Sequence, residues 1–283
     1  MDVPEFEHKY LQVNGIRMHV ASRGKGETIL FLHGFPESWY SWRHQMAALG
    51  DSFRVVAPDQ RGYNETDDAG PYDTGTLRED IAQLIGELGA PLHLVAHDWG
   101  AAIAWLVAIH HPELLKTLTI CNVPHPAVFQ RNLRNPRQLL RSWYIFFFQL
   151  PWLPERFVSA NGYRNLARSI IRDCRPGTFS RADVRYMLAA WRRQGLGGGI
   201  NWYRAALRDS RPLPDPLPVI ATPTLMIWGE NDRALGKELT HGTDEYVENL
   251  DLHYVPQASH WVQQEEPQLV SSLIRAHVER YGG

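Results

Sequence analysis

Short aliphatic runs separated by helix-patterned stretches constrain this chain more than any other feature. The runs Gly15 to Ala21, Thr28 to Leu32, Phe53 to Ala57, Leu92 to Ala96 and Leu115 to Cys121 are each short and rich in β-branched or aliphatic residues, as strands buried on both faces are. Between them, Thr76 to Leu88 places Leu77, Ile81, Leu84, Ile85 and Leu88 on one helical face, and Ala101 to His110 reads as a second helix. Strand and helix in alternation point to an α/β fold with a mainly parallel, doubly wound sheet covered on both sides.

The alternation stops after about Asn122. Pro124 and Pro126 introduce aromatic-rich, helix-like sequence with no clear strand before Pro223. A proline-dense connector, Arg211-Pro-Leu-Pro-Asp-Pro-Leu-Pro, then leads to strand-like Thr224 to Trp228 and Leu250 to Val255, and a helix of roughly Gln268 to Arg280 closes the sequence. The expected organisation is a core formed by residues 1–124 and 217–283, with a helical domain, 125–216, inserted between its two pieces. Ligands of open α/β sheets bind beyond the carboxyl ends of the strands, so the residues that follow each strand carry the functional reading.

After Leu92 to Ala96 comes His97-Asp98-Trp99-Gly100-Ala101-Ala102. A strand turning sharply into a helix needs small neighbours, and such a turn thrusts its central side chain into the pocket. Ser is the usual occupant of this nucleophile elbow, and here it is Asp98. Asp at a helix start also serves as a simple cap, so its company decides. A nucleophile needs a base, and the base an orienting acid. His260, in Ala258-Ser259-His260-Trp261, follows the last strand. Asp232, in Trp228-Gly229-Glu230-Asn231-Asp232, follows the strand before it, with Glu230 as rival. Nucleophile, acid, histidine is the chain order this elbow fold uses. Oxyanion donors are expected from the backbone N–H groups of Trp99 and of Phe35, in the turn His33-Gly34-Phe35-Pro36, where the X-Pro bond makes a cis peptide accessible. His33, Pro36, Trp99 and Trp261 are expected to line the substrate pocket.

Ser attack on an sp3 carbon would leave an inert ether, whereas Asp attack leaves an ester that water can cleave. Asp98 therefore implies alkyl transfer, with His260 activating water against the acyl carbon. A halide leaving group would need N–H donors, and an epoxide oxygen would need a proton donor. Tyrosine suits the second task because its pKa of about 10 keeps it protonated at neutral pH. The insertion offers Tyr144, Tyr163, Tyr186 and Tyr203.

Through most of its length the chain resembles the epoxide hydrolases of the α/β-hydrolase superfamily. The resemblance rests on His33-Gly34-Phe35-Pro36-Glu37-Ser38-Trp39-Tyr40-Ser41-Trp42-Arg43, Arg61-Gly62-Tyr63, His97-Asp98-Trp99-Gly100, Asn201-Trp202-Tyr203-Arg204 and Ser259-His260-Trp261. It implies an eight-stranded sheet, a helical cap inserted after the sixth strand, and conversion of an epoxide and water to a vicinal diol through an alkyl-aspartate ester. It also implies two cap tyrosines that hydrogen-bond the epoxide oxygen; Tyr203 matches one, and Tyr144 best matches the other. Haloalkane dehalogenases are similar and also place Trp after the nucleophile, but they usually carry Asn where Phe35 stands. Fluoroacetate dehalogenases usually carry Arg where Trp99 stands. A non-catalytic ligand-binding protein on the same scaffold is the alternative from a different class.

Composition narrows the partners. Lys and Arg number 29 against 31 Asp and Glu, for a net charge of -2, so no global field favours nucleic acid. The Arg-rich stretch Arg131 to Arg141 reads as a solvated helix face. Trp143 to Leu153, broken by Gln149 and Pro151, falls far short of the roughly 20 residues that span a bilayer and reads as an amphipathic or pocket-lining helix, without stable membrane insertion. Two cysteines, Cys121 and Cys174, are too few for a disulfide framework. Met1 to Tyr10 does not read as a secretory signal, which sets a cytoplasmic expectation. Gly195-Leu-Gly-Gly-Gly lacks the Lys-Ser/Thr ending of a phosphate loop, and no zinc motif is present. No cofactor or metal is expected, only an epoxide and water, in a monomer or homodimer.

Overall fold

The computed structural model describes residues 5–132, 135–209 and 213–282. Arg134 of the Arg-rich stretch, Arg211 and Pro212 of the connector, and Met1 to Pro4 lie outside the described residues. Among those described, eight strands form one sheet: β1 (Glu7–Val13), β2 (Ile16–Arg23), β3 (Thr28–Leu32), β4 (Arg54–Pro58), β5 (Leu92–His97), β6 (Leu115–Cys121), β7 (Thr224–Gly229) and β8 (Leu250–Val255). Their spatial order is β1-β2-β4-β3-β5-β6-β7-β8. β2 runs antiparallel to both neighbours, and β3 through β8 are mutually parallel.

Alternation along each strand feeds two layers. Leu30, Leu32, Leu94 and Ala96 pack into one apolar cluster, together with α2 (Thr74–Leu88) and α3 (Asp98–His110). Ile29, Phe31 and Val95 point the other way, onto α1 (Arg43–Leu49) and the closing helix, which contributes Val270, Ile274 and Val278. In α2, Asp73 accepts the Thr76 N–H as the N-cap, and Gly89 ends the helix at φ 94°, a conformation glycine adopts without a Cβ penalty. The five residues expected on its inner face are all buried.

Between β6 and β7 the described chain is helical: α4 (Pro126–Asn132), α5 (Pro136–Arg141), α6 (Trp143–Phe147), α7 (Leu153–Ser159), α8 (Arg164–Asp173), α9 (Arg181–Gln194) and α10 (Gly197–Arg208). After β8 come α11 (Val262–Glu265) and α12 (Pro267–Tyr281). The insertion seats on the carboxyl ends of the strands through directional bonds: the Trp191 indole donates to the Pro36 carbonyl at 2.5 Å and the Trp202 indole to the Arg61 carbonyl at 3.1 Å.

Two sequence expectations are corrected here. Trp143 to Leu153 is not one helix. α6 ends at Phe147, and Pro151 precedes Trp152, whose φ of 50° restarts the chain as α7. Exposure of Trp143, Phe146, Leu150 and Trp152 places only part of this stretch against the pocket. β1 was not expected: its residues Glu7 to Tyr10 are exposed and only Val13 is buried, because an edge strand packed on one side carries no continuous apolar run. Both cysteines are free and buried, Cys121 within β6. No helix among the described residues is long and apolar enough to cross a membrane.

Candidate active site

The strand order changes direction between β3 and β5, since β4 lies to one side of β3 and β5, β6 and β7 to the other. A crevice opens at the carboxyl ends of such a pair. The His33-Gly34-Phe35-Pro36 turn follows β3, and Asp98 follows β5. Asp98 sits at φ 48°, a left-handed conformation that costs a non-glycine residue about 1 kcal/mol or more. Its neighbours make the turn possible: a Cβ on Gly100 would lie 2.5 Å from the His33 carbonyl oxygen and 2.6 Å from that of Leu32. The side chain does not cap its own helix. Instead Asp98 Oδ1 accepts the Phe35 N–H at 2.6 Å across the crevice, which separates this aspartate from the simple helix-cap reading.

His260 stands over it, Nε2 3.4 Å from Asp98 Oδ2 and Nδ1 2.7 Å from Asp232 Oδ2. Asp232 is immobilised on every side: Oδ1 accepts the N–H groups of Ala234 and Leu235 at 2.7 and 2.8 Å, and Oδ2 accepts the Asn122 amide at 2.9 Å. Its rival Glu230 pairs with Lys237 instead. Burial opposes ionisation of Asp98, but the hydrogen bond and charge of His260, the charge of His97 and the Phe35 N–H outweigh it and hold the carboxyl below its ordinary value. Burial likewise opposes protonation of His260, and the two aspartates overcome it, raising the imidazole well above its usual value.

The cavity above these groups has a volume of about 530 Å³ and is lined by Phe35, Pro36, Asp98, His260 and Trp261 below and by Tyr144, Phe148 and Tyr203 above, within the range of small-molecule sites. Tyr203 packs edge-on against Phe35, Phe148 and Trp99, with centroids 5.5, 4.9 and 5.0 Å away, and Tyr144 meets Tyr203 at 5.9 Å. Burial, and then the Asp98 charge, push both phenols up. Each is therefore a protonated donor near neutral pH.

The structure thus gathers Asp98, Asp232, His260, Tyr144, Tyr203, Phe35, Pro36 and Trp261 at one cavity. Trp99 follows Asp98 at the start of α3, where backbone N–H groups lack helical partners; its ring lies behind Tyr203 and not among the lining residues. His33 is corrected as a pocket residue. It is fully buried beneath the turn, Nδ1 bonding the Gly34 carbonyl at 2.9 Å while Nε2 accepts the Gln60 N–H at 3.1 Å. Burial lowers its pKa, as this neutral, fixed tautomer requires.

Other polar groups at the site were not singled out by the sequence. Asn122, at φ 50° directly after β6, bonds both Asp232 and the Gly229 backbone; an Asn just past a strand end was the available signal. His97 Nε2 lies 2.9 Å from the His260 carbonyl, an acceptor only, so this nitrogen donates; Nδ1 meets Glu37 at 2.8 Å. Asp173 and Arg233, 3.4 Å apart, stand at the cavity wall. Among the described residues no cluster of three or more His, Cys, Asp or Glu side chains could hold a metal ion.

Residues 27–267 match the alpha/beta hydrolase fold family. The chain is 40% identical to the AB hydrolase superfamily protein YfhM of Bacillus subtilis (strain 168), over 96% of this chain and 97% of that one. It is also 40% identical to epoxide hydrolase 4 of Homo sapiens, over 94% of this chain and 77% of the human protein. Among solved structures it is similar to the epoxide hydrolase of Bacillus megaterium in complex with an inhibitor, with a TM-score of 0.89 and 34% identity over 96% of this chain and 100% of that one.

Proposed function

The chain belongs to the epoxide hydrolase family within the alpha/beta hydrolase fold, and from that membership we propose that it converts epoxides to vicinal diols through a covalent ester of Asp98. The observation that carries the reading is the presence, around one cavity, of a carboxylate at the elbow and two tyrosines, Tyr203 buried and Tyr144 half-buried. Helices of the insertion, residues 125–216, act as the cap that supplies those phenols.

In the first half-reaction an Asp98 carboxylate oxygen attacks an epoxide carbon as its C–O bond breaks. Tyr144 and Tyr203 hydrogen-bond the oxygen as negative charge develops on it, and one of them supplies the proton that makes the alcohol. In the second, His260, oriented by Asp232, takes a proton from water, whose oxygen attacks the Asp98 acyl carbon. The Phe35 and Trp99 N–H groups hold the oxyanion; on collapse the proton taken by His260 passes to the departing alcohol oxygen, the diol leaves, and the proton of the new carboxyl returns to the tyrosine that gave one up, restoring the carboxylate. The two steps are coupled electrostatically. Forming the ester removes the Asp98 charge, one of the causes that keep His260 protonated, so the imidazole more readily adopts the neutral form that can accept a proton when a base is needed.

The cavity's apolar wall, with Phe35, Phe148, Leu166 and Trp261, suits an apolar or aryl epoxide. The reading is tested by assaying diol and halide release over terminal, aryl and internal epoxides and haloalkanes. Diol from epoxides, abolished in Asp98→Ala, is expected; halide release without diol from any epoxide would overturn it.

A further inference from the structure

One cap segment touches the loops that carry both His260 and its orienting acid. The bridge to the His260 loop is Glu265, which is only 6% exposed. Its Oε2 accepts the N–H of Ser259, the residue before His260, at 2.5 Å, and its Oε1 accepts the N–H of Arg175, just beyond cap helix α8, at 2.6 Å. The Arg175 guanidinium then bonds the Glu266 carboxylate, and also the Glu265 carbonyl at 3.3 Å. Two residues earlier, Asp173 meets Arg233, the neighbour of Asp232.

A buried carboxyl group is costly unless hydrogen-bonded, and Glu265 spends both oxygens on backbone N–H groups far apart in sequence. The consequence lies at His260. Its ring is held at one end by Asp232, but the height of the ring over Asp98 depends on the backbone of 259–261. The bonds on that backbone include one from His97 at the His260 carbonyl and those of the Gln264 and Glu265 N–H groups at the Trp261 carbonyl, all within the core, and one from the Glu265 carboxylate at the Ser259 N–H, which the Arg175 N–H ties to the cap.

Resting on the mechanism above, we propose that Glu265 is a positioning residue for ester hydrolysis, transmitting the seating of the cap to the base loop. Alkylation needs Asp98 and the tyrosines in place. Hydrolysis additionally needs His260 within reach of a water aimed at the Asp98 acyl carbon, and misplacing such a group by about 1 Å costs on the order of a hundredfold.

The test is Glu265→Gln, isosteric but with one acceptor replaced by an N–H2 donor that cannot receive a backbone N–H. Where alkylation does not reverse and hydrolysis limits turnover, kcat/KM reports alkylation alone, so slower hydrolysis lowers kcat and KM together. For the folded variant the expected result is an ester hydrolysis rate down by about tenfold or more, kcat/KM unchanged, and the Asp98 ester accumulating in single-turnover mass spectra. A purely structural role would lower kcat and kcat/KM equally at constant KM, and that result, or wild-type kinetics for both steps, overturns the proposal. If Glu265→Gln does not fold, Arg175→Ala decides: it loosens the cap end without stranding a buried carboxyl, and the same split at smaller size is expected, with unchanged hydrolysis contradicting it. Failure of the wild-type enzyme to form diol or ester would instead reject the mechanism itself.

Discussion

The floor and the roof of the cavity are held by different forces. In the floor, Asp98, Asp232 and His260 end three parallel strands, and nearly every polar atom has a directional partner, from the Phe35 N–H on Asp98 to the Ala234, Leu235 and Asn122 donors on Asp232. In the roof, Tyr144 and Tyr203 come from two helices and are placed by edge-on contacts with Phe35, Phe148 and Trp99. Hydrogen bonds fix angle and distance, whereas aromatic packing fixes area and tolerates small shifts. The floor side chains are thus set by angle and distance, and the roof rings chiefly by contact area, although the helices that carry them are tied by bonds such as that of Gln149 to the Tyr203 carbonyl.

Substitutions can break that contrast at either end. The largest effect is expected from His260→Gln, which removes the base but leaves Asp98 and both tyrosines: diol turnover should fall by at least about 10² to 10⁴, while alkylation persists and intact-mass spectra show one substrate added per chain. If no adduct forms although epoxide binds, the floor is not a nucleophile and base. Next in size, Tyr144→Phe with Tyr203→Phe should slow alkylation by about 10² to 10⁴, each single change costing less because the other phenol remains. Rapid-quench measurement of ester formation checks this; a single change as damaging as the double would mean that the two phenols do not share the oxygen.

A smaller effect is expected from Asn122→Ala, which leaves an Asp232 lone pair and a Gly229 N–H short of a partner at a cost of about 1–3 kcal/mol, read by denaturant unfolding. Asn122→Gly relieves the positive φ and should retain the part of that stability loss due to the hydrogen bonds, separating hydrogen bond from backbone strain. The smallest concerns pH. In the proposed ester the Asp98 charge, one of the causes that raise the His260 pKa, is gone, so the hydrolysis rate should fall as acid protonates the imidazole. Alkylation should persist to more acidic pH, since Asp98 is held below the ordinary carboxylate value of 3.8. Single-turnover rates across pH check the separation, and two steps with the same acid limb would remove the distinction between them.

The same contrast explains what the sequence disclosed. Asp98 directly follows β5, and Asp232 and His260 lie in the loops after β7 and β8, so strand pattern and local motif point to all three; the structure then separates Asp232 from Glu230, since Asp232 meets His260 while Lys237 pairs with the rival. Tyr203 was legible through Asn201-Trp202-Tyr203-Arg204. The break between α6 and α7 was not, because apolar residues continue on both sides of Gln149 and Pro151 and hide the turn at Trp152. Nor were the ties between cap and core: Glu265 with the Arg175 N–H, and Arg43 with Asp183 at 2.9 Å, join positions whose proximity only tertiary packing creates. His33 read as a pocket residue because it stands beside the turn; its ring is turned inward to order the backbone that Asp98 meets.

One measurement bears most directly on the Asp98 ester. A single turnover in H2(18)O, with enzyme in excess over epoxide, separates attack by the carboxylate from attack by water. The account predicts an unlabelled diol, its new oxygen taken from Asp98, and heavy oxygen in the peptide that contains Asp98. A labelled diol from the first turnover, with Asp98 unlabelled, would contradict it.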